Sequence, residues 1–316
     1  MSSGASFAPE TSCRSVSGTP IGHYTPGVAR EPVHSKPLTV TRHDRDATGM
    51  TYVYPVVSRR AGGVSVGVNL NPNSACNWRC VYCQVPDLTF GKAPRVDLEK
   101  LREELRDLLT DIVQGRFLER SVPIEARRLE DVALSGNGEP TSSGQLGDAL
   151  EVVAEALQAL DLLGQLRVTL ITNGSMLNKP SVRAAVRRLA EMSGEVWFKL
   201  DSVTSPGLRR VNRCQVDADI HLAKLRTAAE LCPTWIQSCL FAWNGQPPDP
   251  AECDAYLDAL RGFARDGVPL RGVQLYTLAR ASQQPEAAEL SPLSETWLRG
   301  FAQRVEALGF TVRVNG

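Results

Sequence analysis

The chain reads as an α/β protein whose parallel strands are joined by crossover helices. Short strand-like runs and longer helical patterns alternate six times between Val64 and about Leu308, and alternation of this kind builds a parallel sheet beneath its own crossovers. The polar and glycine-bearing loops follow the strand-like runs at their C-terminal ends, where barrel enzymes carry their sites. Six units fall short of a closed eightfold barrel.

The 316 residues, 42% of them hydrophobic, suffice for a sizeable core in one large domain or two small ones. Lys plus Arg equals Asp plus Glu at 35 each, so no global charge favours nucleic acid, although a local basic patch stays open. Eight cysteines in a chain this long do not make a disulfide scaffold. No apolar run reaches the length of a membrane span, and the N-terminus lacks a signal-peptide core. The expectation is a soluble, cytoplasmic protein with no membrane partner.

Residues 1–45 are rich in Ser, Gly and Pro without hydrophobic period and are expected to form a flexible arm, with a single core domain over 46–316. Cys13, His23 and His34 in the arm are isolated. Met50 to Val57 is β-rich. Arg59 and Arg60 then precede a glycine turn, as solvated surface or as holders of a substrate anion.

The first barrel strand, Val64–Leu70, leads through a Pro/Asn/Ser loop into Cys76-Asn-Trp-Arg-Cys80-Val-Tyr-Cys83. Three thiols in eight residues can meet at one inorganic centre, and thiolates select zinc, copper(I) or iron–sulfur clusters. A closed zinc site wants four ligands, and here His43 lies well before the triplet and His221 far after it. A [4Fe–4S] cube also normally takes four thiolates; three would leave one iron open to a small molecule. Ordinary core thiols need neither this spacing nor this polar loop.

Asp97 to Val113 has helical spacing, with Leu98, Leu101, Leu105, Leu108, Leu109 and Ile112 on one face. The strand Asp131–Ser135 runs into Gly136-Asn-Gly-Glu-Pro140. Glycines at a strand end admit close backbone approach, their amides can cradle a carboxylate, and Glu139 can receive an ammonium. An amino-acid head group needs that pair; a plain Gly-rich turn is the simpler alternative. A helix from Gly144 to Leu163 precedes the strand Arg167–Ile171, which ends in Thr172-Asn-Gly-Ser175. Asn173 is either a ligand contact or part of a simple turn.

A third helix opens with Asn178, Lys179 and Pro180 and runs to about Met192. In the fourth strand, Glu195–Leu200, period two places Lys199 and Asp201 on one face, as a functional pair or an internal salt bridge, with Ser202 following. Helices over Ser205–Val211 and Asp217–Leu231 lead to a fifth strand, Thr234–Phe241. Asp249-Pro-Ala-Glu252 has the start signature of a helix running to Asp266. A sixth strand, Gly272–Leu278, ends in Ala279-Arg280, and the N-terminal arm or the 279–290 loop is a candidate lid. A last helix is expected from Ser291-Pro292, then a strand over Phe310–Val314. Cys214, Cys232, Cys239 and Cys253 are dispersed and read as small buried hydrophobes.

The C-x3-C-x2-C spacing, with an aromatic just before the last cysteine and a Gly/Glu turn one β-α step later, resembles the radical S-adenosylmethionine (SAM) superfamily. The resemblance implies a (βα)6 partial TIM barrel over roughly residues 50–314. It implies that Cys76, Cys80 and Cys83 hold a [4Fe–4S] cluster whose open iron binds SAM, and that reductive cleavage of SAM gives a 5′-deoxyadenosyl radical that takes hydrogen from a substrate. It assigns Gly136, Gly138, Glu139 and Pro140 to the methionyl end of SAM and Tyr82 to shielding the cluster. Asn173, Lys199, Asp201 and Ser202 fall on the carboxylate and ribose side. Arg59, Arg60, Arg213, Tyr276 and Arg280 are substrate candidates. Asn137 stands where the family's motif has its first glycine.

An electron donor such as flavodoxin or ferredoxin is implied, with a small molecule or RNA as substrate. Tyr52–Arg60, Val211-Asn-Arg213 and Val273–Arg280 are also similar to a poorly characterised bacterial group described as similar to wyosine tRNA base synthases. No flavin-binding domain and no further lysine motif can be assigned, so that label does not carry over. A tRNA-modifying enzyme of the wyosine type and a non-catalytic metal or redox sensor are the competing readings.

Overall fold

The computed structural model describes residues 32–39, 47–58 and 62–315. Cys13, His23, His43, Arg59 and Arg60 lie outside them. The elements in chain order are β1 (Val53–Ser58), β2 (Gly63–Val68), β3 (Ala75–Cys76), β4 (Thr89–Phe90), α1 (Leu98–Val113), α2 (Phe117–Ser121) and β5 (Leu129–Leu134). Then come α3 (Leu146–Gln158), β6 (Arg167–Thr172), α4 (Pro180–Glu191), β7 (Glu195–Lys199), α5 (Ser205–Asn212) and α6 (Ala218–Leu231). The remainder is β8 (Thr234–Cys239), β9 (Phe241–Trp243), α7 (Pro250–Arg265), β10 (Leu270–Tyr276), β11 (Leu290–Pro292), α8 (Glu295–Glu306) and β12 (Val312–Asn315).

The main sheet has the order β1-β2-β5-β6-β7-β8-β10-β12. Only the β1–β2 pair is antiparallel; every later neighbour pair is parallel. The six strand–helix units expected from the sequence are therefore present. They form a (βα)6 partial barrel, with β1 added at one edge and β12 at the other.

Strand alternation sorts the two faces. Val64, Val66, Val68, Val132, Leu134, Val168, Leu170, Val196, Phe198, Ile236, Val273 and Leu275 are buried in the main hydrophobic core. The alternate positions carry Ser65, Asp131, Trp197, Lys199, Gln237 and Tyr276, which line a hollow. Register keeps them level: Trp197 pairs with Trp235, Lys199 with Gln237, and Gln237 with Gln274.

Helix α1 is capped by Asp97, which accepts the Lys100 N–H at 3.1 Å. It buries the expected Leu101, Leu105, Leu108, Leu109 and Ile112. It also buries Glu104, whose carboxylate accepts the N–H groups of Thr51, Tyr52 and Val53 at 2.8, 2.7 and 3.2 Å. This carboxylate fixes the entry to β1. Within the stretch expected as an arm, Val33 donates its N–H to Asp111 at 2.8 Å and Leu38 is buried, bonded to the Ser121 carbonyl at 2.8 Å.

Two helix ends differ from the sequence reading. Helix α3 stops at Gln158, because Asp161 (φ 55°) and Gly164 (φ 79°) take left-handed conformations that turn the chain. Helix α8 begins at Glu295, capped by Ser294, while Leu290–Pro292 pairs with β9. Among the described residues no helix is long and apolar enough to cross a membrane.

Candidate active site

The loop after β2 is shaped by two buried asparagines. Asn69 Oδ1 accepts the N–H groups of Asn71 and Asn137, both at 3.0 Å, and Asn71 Nδ2 donates to the Ala75 carbonyl at 2.9 Å. The Cys loop and the 136–140 turn therefore share one support. Their contact demands glycine: a Cβ on Gly138 would fall 2.1 Å from the Ala75 carbonyl oxygen, and one on Gly136 2.3 Å from Asn69 Oδ1. Asn137 has no positive φ, so a side chain at that position is carried without strain.

Cys76, Cys80 and Cys83 are free, half-buried thiols on the wall of one cavity of about 310 Å³. Gly136, Gly138, Glu139, Asn173, Lys199, Tyr82, Tyr276 and Arg280 line the same cavity. Among the described residues no three His, Cys, Asp or Glu side chains are drawn tightly enough to hold a single metal ion. A cube places its thiolates on different irons, so it asks for a looser set of sulfurs, and three thiols of one loop facing one hollow suit it. Burial pushes the Cys76 thiol up to about 12, against a hydrogen bond from the Trp78 backbone. Burial raises Cys80 as well, opposed by the charge of Lys199. Thiols in this condition ionise when a metal binds. Asn212 Nδ2 already faces Cys80 Sγ at 3.2 Å, the type of contact that tunes a cluster-bound sulfur.

The loop is stitched down from two sides. Arg79 and Val81 donate their N–H groups to the carbonyls of Asn212 and Val211 at 3.2 and 2.9 Å. The stretch after β10 grips the other side. Ser282 Oγ donates to the Val81 carbonyl at 2.6 Å, the Gln283 N–H to that of Cys83 at 2.9 Å, and Gln284 Nε2 to that of Val85 at 3.0 Å. Glu286 accepts Arg79 through two bonds and Arg213 at 2.7 Å. The candidate lid is thus fastened to the Cys loop over 282–286.

Glu139 is buried and firmly placed. Its Oε1 accepts from the Thr141 N–H (3.0 Å), Thr141 Oγ1 (2.6 Å) and Thr172 Oγ1 (2.6 Å); its Oε2 accepts the Asn173 N–H (2.7 Å). Burial raises its carboxyl pKa, and the bonds from Thr141 and Thr172 oppose this. Pro140 opens the short 3₁₀ turn that presents Glu139. Asn173 Nδ2 reaches Asn77 Oδ1 at 3.0 Å, joining the end of β6 to the Cys loop.

Lys199 and Asp201 stand 3.9 Å apart, on one side, although β7 ends at Lys199. Lys199 faces the cavity, 3.2 Å from Tyr276 Oη and 4.9 Å from the Tyr82 ring centre. Burial opposes its charge, but Asp201 and Tyr276 outweigh that and hold its pKa above the ordinary lysine value. Asp201 accepts Tyr82 Oη (2.5 Å), Asn212 Nδ2 (2.7 Å) and the Cys239 N–H (3.0 Å). Ser202 turns toward α7, donating to Glu252 Oε2 at 3.0 Å. Of this run only Lys199 lines the cavity, while Arg213 is engaged with Glu286.

Sequence reasoning missed Glu286, Asn212 and the cavity residues Asp131 and Gln237. A charge directly before the apolar Val132–Leu134 run, within the same strand, was the available signal for Asp131. His221 is buried between the rings of Trp78 and Phe198, its Nε2–H donating to the Lys199 carbonyl at 3.0 Å. Cys214, Cys232, Cys239 and Cys253 are all buried.

Fold and site define a protein of the half-barrel class, with a three-thiol loop and a glycine turn opening into one cavity. The family model of the radical SAM superfamily matches residues 70–252, more than half of the chain, and the chain belongs to that superfamily. It is 30% identical over 162 residues to a UPF0026 protein of Synechocystis sp., covering 51% of this chain and 52% of that protein. The chain thus spans about half the length of that curated relative. Among solved structures it is similar to a radical SAM methyltransferase from Sphaerobacter thermophilus, with TM-score 0.54, 16% identity, and coverage of 80% of this chain and 66% of that one. It is also similar to TYW1 with a lysine–pyruvate adduct bound, with TM-score 0.50, 16% identity, and coverage of 78% and 74%. At that identity the likeness is one of fold.

Proposed function

We propose that the chain binds a [4Fe–4S] cluster through Cys76, Cys80 and Cys83 and SAM in the adjoining cavity, and uses the 5′-deoxyadenosyl radical to take hydrogen from a substrate. One observation carries this: the three thiols, the Gly136–Gly138 turn and Glu139 open into a single cavity. When bound, the cluster supplies the electron that cleaves SAM, drawn from a one-electron donor such as flavodoxin or ferredoxin.

The protein binds, orients and shields. Glu139 Oε2 carries one hydrogen bond and keeps capacity for the methionyl ammonium. The Gly136–Gly138 backbone and the Lys199 ammonium address the carboxylate, with Asn173 beside them and Pro140 holding the turn. Tyr82 covers the Cys loop from the cavity side. Asp201 fixes Tyr82 and Lys199, and Ser202 ties the end of β7 to α7; both are positioning residues. Tyr276 and Arg280 face the substrate side, and Arg213 secures the loop through Glu286. A lysine–pyruvate adduct forms on a neutral amine. Lys199, the lysine that lines the cavity among the described residues, is held charged, and we assign it no such role.

Anaerobic reconstitution with iron and sulfide, then dithionite and SAM, tests this reading. The expected product is 5′-deoxyadenosine, absent from the Cys76→Ala variant. Tightly bound zinc, or intact SAM after reduction of an iron-loaded protein, sinks it.

A further inference from the structure

Among the described residues, two of those that line the cavity outside the SAM constellation bear buried polar atoms without a hydrogen-bond partner. Asp131 on β5 and Gln237 on β8 are each 1% exposed, and both line the cavity. Asp131 Oδ2 lies 3.4 Å from Arg167 Nη2 and from Thr169 Oγ1, whereas Oδ1 meets no hydrogen-bond partner among the described residues. Gln237 Nε2 meets none either. Such atoms are rare in folded proteins, because each forfeits the water it left behind. These two are opposite in kind: one accepts, the other donates.

The charges around Asp131 do not balance. Arg167 is shared, its Nε lying 3.4 Å from Glu195, so one guanidinium serves two carboxylates. Glu195 is further occupied by the indole N–H groups of Trp197 and Trp235, whereas Asp131 is offered only the hydroxyls of Ser65 and Thr169 beside its share of Arg167. Burial pushes its carboxyl pKa up, against the bond from Ser65 and the charge of Arg167. Gln237 stands beside Lys199 in register, so an oxygen placed there meets an N–H and a cation together. β5 and β8 lie three strand spacings apart, about 14 Å along the sheet and less across its hollow. A molecule that meets both residues carries its nitrogen and its oxygen at separate ends.

We propose that Asp131 and Gln237 form a substrate subsite in which Asp131 receives an ammonium, amidinium or amide N–H of the substrate and Gln237 donates to an oxygen elsewhere on it. The assignment rests on the radical SAM reading for the reaction, though not for the binding. It selects a polar, nitrogen-bearing substrate: a hydrocarbon chain would leave both buried atoms dry.

Ligand-observed NMR titration of the full chain with acetamidinium, acetate, acetamide and tert-butanol tests it. Acetamidinium is expected to bind saturably to the wild type, and tert-butanol not at all. The isosteric Asp131→Asn is expected to lose acetamidinium at least about tenfold and to gain acetate, while Gln237→Leu loses acetamide and keeps acetamidinium. A gain of acetate separates a specificity change from misfolding. Equal binding of acetamidinium and tert-butanol to the wild type, or acetamidinium affinity unchanged in Asp131→Asn, overturns the proposal. The titration uses neither reductant nor SAM, so its failure leaves the radical chemistry standing, and failure of SAM cleavage leaves the subsite standing.

Discussion

The Arg79 guanidinium and the Glu286 carboxylate, 207 residues apart in sequence, meet in a two-pronged pair at 2.8 and 2.7 Å. Arg79 lies inside the thiol loop, so this pair fastens the loop to the stretch after β10. Glu286 is nearly buried while its arginine partners are about a third exposed, so solvent screening discounts the pair to about 1–2 kcal/mol. Glu286→Ala is expected to lose that much stability in urea titration and to retain markedly less iron after anaerobic reconstitution and gel filtration. Wild-type iron retention in this variant would show that the clamp does not hold the loop.

Acid is expected to weaken the fold in two stages. Burial pushes His221 down from 6.5 to about 4, so the folded ring stays neutral while the unfolded one takes a proton. Stability is therefore complete above pH 6.5 and falls between 6.5 and 4, by about 2–3 kcal/mol from this group. The bonds from Arg79 chiefly hold Glu286 down to about 2; its contribution is complete above about 4.5 and is lost as pH falls toward 2. Glu139 and Asp131, raised by burial, work in the opposite sense, so the difference between wild type and His221→Gln isolates the first stage. That difference should shrink as pH drops from 7 to 4.5 in urea titrations. A constant difference would mean that His221 titrates in the fold as it does in the unfolded chain.

The thiol triplet, the glycine turn and the strand–helix alternation were legible because each is a local pattern. Period two also expects Lys199 and Asp201 on one side, where they do meet although Asp201 lies past the end of β7. It could not show that Tyr82, Asn212 and the Cys239 N–H take up the Asp201 carboxylate, since those donors come from three other segments. Ser202 was assigned with them, but β7 ends at Lys199, and beyond a strand's end the alternation no longer governs direction. Arg213 closes α5 in a left-handed conformation, φ 50°, and meets Glu286, a partner that no local pattern predicts. Glu104 was hidden in the opposite way: on a helical wheel it borders the exposed face, and only the N–H groups arriving at β1 explain its burial.

The contact between the first two loops gives a paired prediction. At Gly138 a methyl group would fall 2.1 Å from the Ala75 carbonyl oxygen, a backbone atom that can move only with the Cys loop, whereas at Gly262 in α7 nothing lies within 4 Å. Gly262→Ala should stabilise by about 0.5–1 kcal/mol, the ordinary helix preference. Gly138→Ala should destabilise by about 1–3 kcal/mol and lower the iron loading. Urea titration and an iron assay on the two variants check this. Equal effects would mean that the two loops do not need to touch.

Glu139 offers the sharpest separation of SAM binding from cluster loading. Its Oε1 holds three donors and its Oε2 only the Asn173 N–H, so Oε2 is the oxygen left for an ammonium. Glu139→Gln keeps a carbonyl for the crowded side, sets an NH₂ group against the Asn173 N–H, and removes the charge. A hydrogen bond to a charged group is worth about 1.5–3 kcal/mol, so SAM affinity should fall at least about tenfold while the three thiols still load iron. Anaerobic calorimetry with SAM, beside an iron assay on the same sample, reads both. Cys83→Ala should instead lose iron and SAM together. Unchanged SAM affinity in an iron-loaded Glu139→Gln protein would remove Glu139 from the head-group site, and the 136–140 turn would then serve only to brace the Cys loop.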